Sequence, residues 1–223
     1  IRLNQDGEGM KNTIREFGEK LKNNDGIALF FFAGHGIQAN GENYLLPVGF
    51  PFRNEQEVEK NAVPANMVLR YMEDSKNRVN LVVLDACRNN PFGNTYQPEQ
   101  RGLSQFDAPV GSLIAYATSP GNVASDGSGK NGLYTENLVR ELSQRSTRIE
   151  DALKRVRLNV RLASRGAQIP WETTSLESDV FIFKEGQKKL SEEELEQEIE
   201  ADVAEWGRIK SSKNAEDWVG YLR

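Results

Sequence analysis

Ile27-Ala28-Leu29-Phe30-Phe31-Phe32-Ala33-Gly34-His35-Gly36 is the stretch whose reading decides the fold. Its first six residues form a short continuous apolar run, which predicts a strand buried on both faces, ending at Gly34-His35-Gly36. Leu81-Val82-Val83-Leu84 repeats the pattern and runs directly into Asp85-Ala86-Cys87. Ser112 to Ala117 reads as a further buried strand, and Val180 to Phe183 as a last short one. Between the strands, apolar residues return at helical spacing. Met10, Ile14, Phe17 and Leu21 mark an amphipathic helix that Asn23-Asn24-Asp25-Gly26 breaks. A second helix is expected from Pro64 through Met72, with proline tolerated in its first turn. Leu133–Leu142 and Ile149–Ala163 are helical by the same criterion. Strands alternating with helices argue for an α/β sandwich with a mainly parallel sheet, whose functional sites form beyond the carboxyl ends of the strands. His35 and Cys87 are each expected just past such an end.

Tyr44-Leu45-Leu46-Pro47 is a shorter apolar patch, Arg53 to Lys60 a solvated charged stretch, and Asn89 to Pro109 a loop rich in Asn, Gly, Pro and Gln. The composition changes after Lys184. Ser191-Glu192-Glu193-Glu194 has the spacing of a capping box, and Leu195, Ile199, Val203, Trp206 and Ile209 form an apolar stripe. We therefore divide the chain into a main domain, residues 1–185, and a small helical C-terminal appendage, residues 186–223, whose last stretch from Asn214 reads as a second short helix.

The bulk numbers narrow the function. In 223 residues, 38% are apolar and 27% charged, as in a globular protein. The 28 basic against 33 acidic side chains leave a net charge of −5, which argues against a general nucleic-acid surface. The longest uninterrupted apolar run, Ile27 to Ala33, falls far short of the roughly 20 residues a membrane helix needs. Cys87 is the only cysteine, so no internal disulfide forms. A single cysteine suits a reducing compartment, and a cytoplasmic setting is expected.

The single cysteine and single histidine restrict any Cys/His catalysis to one pair. A free thiol is only a few per cent thiolate at neutral pH, yet the thiolate is strongly nucleophilic, and an adjacent imidazole raises that fraction or protonates a leaving amine. Glycines on both sides of His35 let a substrate carbonyl approach and offer amides for an oxyanion. Each residue also has a plainer reading: Cys87 as a small core residue, His35 as part of a turn. Zinc wants three or four ligands, and no CxxC or HxxxH spacing occurs, so no metal site is assigned.

Phe31-Phe32-Ala33-Gly34-His35-Gly36 and Leu84-Asp85-Ala86-Cys87-Arg88-Asn89-Asn90-Pro91-Phe92 resemble the two catalytic motifs of bacterial caspase-like peptidases, the relatives called orthocaspases, metacaspases and paracaspases. The resemblance extends through Tyr44-Leu45-Leu46-Pro47, Ala115 to Gly121 and Gln168-Ile169-Pro170-Trp171-Glu172, from about Met10 to Phe183. The 52 residues from His35 to Cys87 also match the caspase separation of about 50. The caspase signature Gln-Ala-Cys is not met, because Asp85 precedes Ala86. The resemblance implies a three-layer caspase-like sandwich and a cysteine endopeptidase, with His35 as acid/base, Cys87 as nucleophile, and the amides of Gly36 and Cys87 at the oxyanion.

The acid two before the cysteine is, by that resemblance, an S1 residue pairing with a P1 arginine or lysine, and this is Asp85. Asp126, ten residues beyond Tyr116, matches a second S1 acid. Two carboxylates favour a guanidinium through charge-assisted bonds and repel an aspartate. Taken alone, Asp85 reads as a cap at a strand end and Asp126 as a turn residue in Ser125-Asp126-Gly127-Ser128-Gly129. Relatives also carry an extra core strand, a loop and a helix upstream of what is here Ile1. A separate N-terminal fragment of the same protein, released by self-cleavage after a basic residue, is therefore expected to pack on this chain without a covalent link. The expected partners are that fragment and protein or peptide substrates with a basic P1, with no nucleic acid and no membrane. No cofactor is assigned; some relatives need calcium and others do not, and no EF-hand loop occurs here. Two alternatives stand beside hydrolysis. One is a catalytically silent scaffold on the same fold, the other a ligase or transpeptidase that intercepts the acyl-enzyme with an amine.

Overall fold

A computed structural model of the chain describes residues 1–22, 26–87, 103–119, 131–183, 192–210 and 212, with the backbone alone at 87, 192–199 and 202. Within the first 184 residues the centre is a ladder of three parallel strands, β1 (Ile27–Ala39), β4 (Val79–Cys87) and β5 (Ser112–Tyr116). Short antiparallel strands complete it: β2 (Glu42–Leu45) and β3 (Val63–Pro64) beside β1, and β6 (Trp171–Thr174) beside β5, giving the order β3-β2-β1-β4-β5-β6. The sheet is thus mixed, parallel where it carries the two motif strands.

Side chains alternate across the strands, so each face collects its own core. Ala28, Val82, Leu84, Ala86, Ile114 and Tyr116 pack under α1 (Gly7–Leu21) and α3 (Asn66–Ser75) with Ile14, Val68 and Met72. Leu81, Val83, Leu113 and Ala115 pack on the other face under α4 (Leu133–Leu142) and α5 (Ile149–Ala163) with Leu138, Leu153, Val156 and Val160. Two helix layers around one sheet make the three-layer α/β sandwich. Asp6 starts α1 by accepting the amide of Gly9 at 2.7 Å, an N-cap that the apolar periodicity alone does not reveal.

Several elements depart from their sequence reading. β1 continues through Gly34-His35-Gly36, because β4 keeps pairing with it as far as Cys87 and β2 takes up its other edge from Gly36. The charged stretch after Arg53 contains the helix α2 (Glu55–Asn61), started by Asn54, whose side chain accepts the Glu57 amide at 2.9 Å. Pro64 belongs to β3 and the helix begins two residues later. Val180–Phe183 supplies only an isolated bridge, Phe181 to Arg148, while the outer strand is β6 in the Gln168–Glu172 motif region.

β1 is not covered on both faces. Ile27, Leu29 and Phe31 are 44–46% exposed, although their register partners Val79, Leu81 and Val83 are buried beneath α4 and α5. On the edge away from β4, β2 pairs only with Gly36–Ala39, so no strand among the described residues flanks Ile27–Gly34.

Residues Glu185–Arg223 form a second compact unit, of which α6 (Glu192–Ile209) is described, with Arg208 pairing with Glu205 at 2.6 Å. The expected helix from Asn214 and the side chains of Leu195 and Ile199 lie outside the described residues. No helix among the described residues is long and apolar enough to cross a membrane.

α4 and α5 are joined by a polar node. Glu141, 8% exposed, accepts from Arg155 at 2.8 Å, from Arg140 at 3.3 Å and from Asn159 at 3.2 Å. Burial alone would raise the Glu141 pKa, but the bonds from Arg155 and Arg140 outweigh it and hold the carboxyl below its usual range. A depressed folded pKa gives stability that is fully present above the unfolded value of about 4.3 and is lost as pH falls through the folded one. Glu141→Gln is therefore expected to lower the melting temperature by several degrees at pH 7. Thermal unfolding followed from pH 7 to pH 3 should show the gap between the two proteins closing on the acid side.

Candidate active site

The β1/β4 ladder runs in register from Ile27 opposite Val79 to His35 opposite Cys87. Neighbouring strands lie about 4.8 Å apart, so residues 52 apart in sequence become direct neighbours at the carboxyl end of β4. The His35 side chain is exposed, and its backbone is held from the far side, its carbonyl accepting the Leu46 amide at 2.9 Å. Cys87 is placed by its backbone alone.

The glycines around His35 have a packing role the sequence reading did not assign. A Cβ at Gly36 would come within 2.9 Å of the buried Leu103 side chain and 3.1 Å of the Ala86 methyl, and one at Gly34 within 2.8 Å of the Phe32 ring. Leu103 lies in the core, in the segment that leads into β5. Asn43 on β2, 3% exposed, anchors that segment. Its Nδ2 donates to the Ser104 carbonyl at 2.9 Å, and its Oδ1 accepts the Ser104 amide at 2.7 Å and hydroxyl at 3.2 Å. Further on, the Phe106 amide donates to the Tyr116 hydroxyl at 2.9 Å. One hairpin therefore steadies both the histidine strand and the chain returning from beyond Cys87.

Asp85, two residues before Cys87 and opposite Ala33, is half-buried. Its carboxylate accepts a hydrogen bond from the hydroxyl of Thr135, in the first turn of α4. Beside Thr135, the ring of Tyr134 is fully buried. Burial first, and then the carboxylates of Asp85 and Glu172, raise its pKa and keep the phenol neutral. Glu172 on β6 is ion-paired with Arg157 of α5, which also donates to the Pro170 carbonyl at 3.1 Å. The buried Gln168 side chain donates to the Ala117 carbonyl at 2.8 Å, tying the same motif to the end of β5. Asp126 lies outside the described residues.

Of the five positions singled out, the structure brings His35, Gly36, Asp85 and Cys87 together at the carboxyl end of β4 and the part of β1 beside it. Sequence reading missed Asn43, Leu103, Thr135 and Tyr134. Asn43 adjoins the quoted Tyr44-Leu45-Leu46-Pro47 motif, which was a signal; the other three gave none. Among the described residues, no three His, Cys, Asp or Glu side chains gather as a metal site would require.

The family model described as the peptidase C14 caspase domain matches residues 1–181. Human mucosa-associated lymphoid tissue lymphoma translocation protein 1 is 28% identical over 115 residues, and its mouse homologue is equally similar. These alignments take in 50% of this chain but only 13% of either relative. Caspase-1 from Spodoptera frugiperda superposes with a TM-score of 0.56 at 16% identity, over 82% of this chain and 73% of that one, a likeness of fold.

Because Leu103 fills the space where a Gly36 side chain would stand, Gly36→Ala overpacks the site. The expected cost is about 1–3 kcal/mol, measured by chemical unfolding, and Leu103→Ala in the same chain should recover part of it.

Proposed function

Because this chain belongs to the caspase-domain family of peptidases, we propose that it is a cysteine endopeptidase that cuts after arginine or lysine with His35 and Cys87 as its catalytic pair. The observation carrying this reading is the register pairing of His35, within β1, with Cys87 at the carboxyl end of the parallel strand β4. That is where α/β sheets place their chemistry.

The thiolate of Cys87 attacks the scissile carbonyl carbon, and the oxyanion is met by the amides of Gly36 and Cys87. As the carbon–nitrogen bond breaks, His35 gives its proton to the leaving amine, and a thioester remains. His35 then takes a proton from water, the hydroxide displaces the sulfur, and the acid product leaves with the thiolate restored. Asp85, with Asp126, supplies negative charge for the guanidinium or ammonium of P1. The half-buried position of Asp85 beside the end of β4 supports this role.

The bare edge at Ile27–Gly34 and the exposed apolar face of Ile27, Leu29 and Phe31 support a second element of the reading. An N-terminal segment of the same protein adds a strand along this edge and covers the face, as β-addition at a sheet edge requires. Phe31→Glu should then change the stability of this chain by no more than about 0.5 kcal/mol, as surface substitutions do, while weakening association with that segment in a pull-down.

A positional scan of P1 on fluorogenic peptides, with and without calcium, tests the main reading. Arg and Lys are expected to dominate, and Cys87→Ala and His35→Ala to abolish turnover. Asp85→Asn should lower kcat/KM on basic substrates by about 10- to 100-fold, the worth of a hydrogen bond to a charged group. A preference for acidic P1, or undiminished cleavage by Cys87→Ala, overturns it.

A further inference from the structure

α4 begins without a side-chain cap, since Gly132 stands at its N-cap position. Its first turn presents Thr135 to the Asp85 carboxylate and buries Tyr134 beside it, 1% exposed. The Tyr134 hydroxyl has no hydrogen-bond partner among the described residues, so a polar group without a bond has been kept next to the same acid. Such groups are costly in an apolar core and mark places where polarity serves something beyond packing.

The chemistry of the two acids near Tyr134 differs. Glu172 meets Arg157, whose charge offsets its own. Asp85 accepts from the Thr135 hydroxyl, a contact that orients the carboxylate. Threonine suits that task because its branched Cβ restricts χ1, in a helix to two rotamers, so the hydroxyl has few directions to choose from. The N-terminal end of α4 adds a favourable field for negative charge.

We propose that Thr135 is a positioning residue for substrate selection, its hydroxyl holding the Asp85 carboxylate in the orientation that meets a basic P1 side chain. This rests on the reading of Asp85 as an S1 acid. Selectivity through a carboxylate depends on where its oxygens lie, and a displacement near 1 Å is enough to lose a large part of the interaction. Thr135 touches Asp85 and not the reacting atoms, so its effect falls on substrate capture and not on bond breaking.

The test compares the full chain with its Thr135→Val, Thr135→Ala and Thr135→Ser variants on peptides ending in Arg or Lys. Val and Ala should each raise KM about tenfold with kcat within about twofold, Ser should restore KM, and the rate of Cys87 alkylation by iodoacetamide should not move. In an Asp85→Asn background, Thr135→Val should add nothing. Unchanged KM in a folded Val or Ala variant, or an equal loss in the Asp85→Asn background, overturns the proposal while leaving the S1 reading in place. If the unmodified chain shows no preference for basic P1, the S1 reading fails and the proposal falls with it.

Discussion

The parallel ladder between β1 and β4 is the constraint on which the rest of the molecule depends. Nine consecutive register pairs carry the chain from Ile27 and Val79 to His35 and Cys87. A slip of one residue would set His35 beside Ala86 and would exchange every buried face for its opposite. The two cores forbid that slip. Val82, Leu84 and Ala86 are committed to the α1/α3 side, and Leu81 and Val83 to the α4/α5 side. The apolar alternation that builds the sandwich is therefore also what aligns His35 with Cys87. Fold and site are specified by the same side chains.

This explains how much was legible beforehand. The strands leading to His35 and Cys87 are continuous apolar runs, and such runs announce themselves. α4 and α5 have apolar faces wide enough to mark their ends, and both were read with the limits they have in the structure, Leu133–Leu142 and Ile149–Ala163. What escaped was decided by partners distant in sequence. β1 was read as ending at the glycines, yet cross-strand bonds on both sides carry it to Ala39. β6 is a polar tetrapeptide, Trp171-Glu172-Thr173-Thr174, made a strand by its pairing with β5. Thr135 and Leu103 are unremarkable in sequence, and become significant only because Asp85 and Gly36 lie opposite them in space.

The placement of polar groups follows one rule through the main unit. Where an acid is buried to hold helices together, as Glu141 is, arginines surround it and its charge is spent locally. Glu172 follows suit with Arg157. At the end of β4 the pattern changes to a carboxylate steadied by a hydroxyl, next to a phenol that burial keeps neutral.

The two members of the proposed pair are held unequally. β4 lies between β1 and β5, is covered by helices on both faces, and so delivers Cys87 from the best-supported strand of the sheet. β1 delivers His35 from a strand that, among the described residues, is bare along one edge and on one face as far as Gly34. Support for His35 comes from its outer end, through the Leu46 amide and the Asn43 anchor on β2. Sheet regions with unpaired edges and exposed apolar faces open at lower free energy than covered ones. Anything that covers Ile27, Leu29 and Phe31 would stiffen β1 relative to β4, and the quantity it would change most directly is the placement of His35 against Cys87. Leu29 on the exposed face lies six residues, about 20 Å, before His35 on the same strand, so a segment bound there would reach the proposed pair along β1.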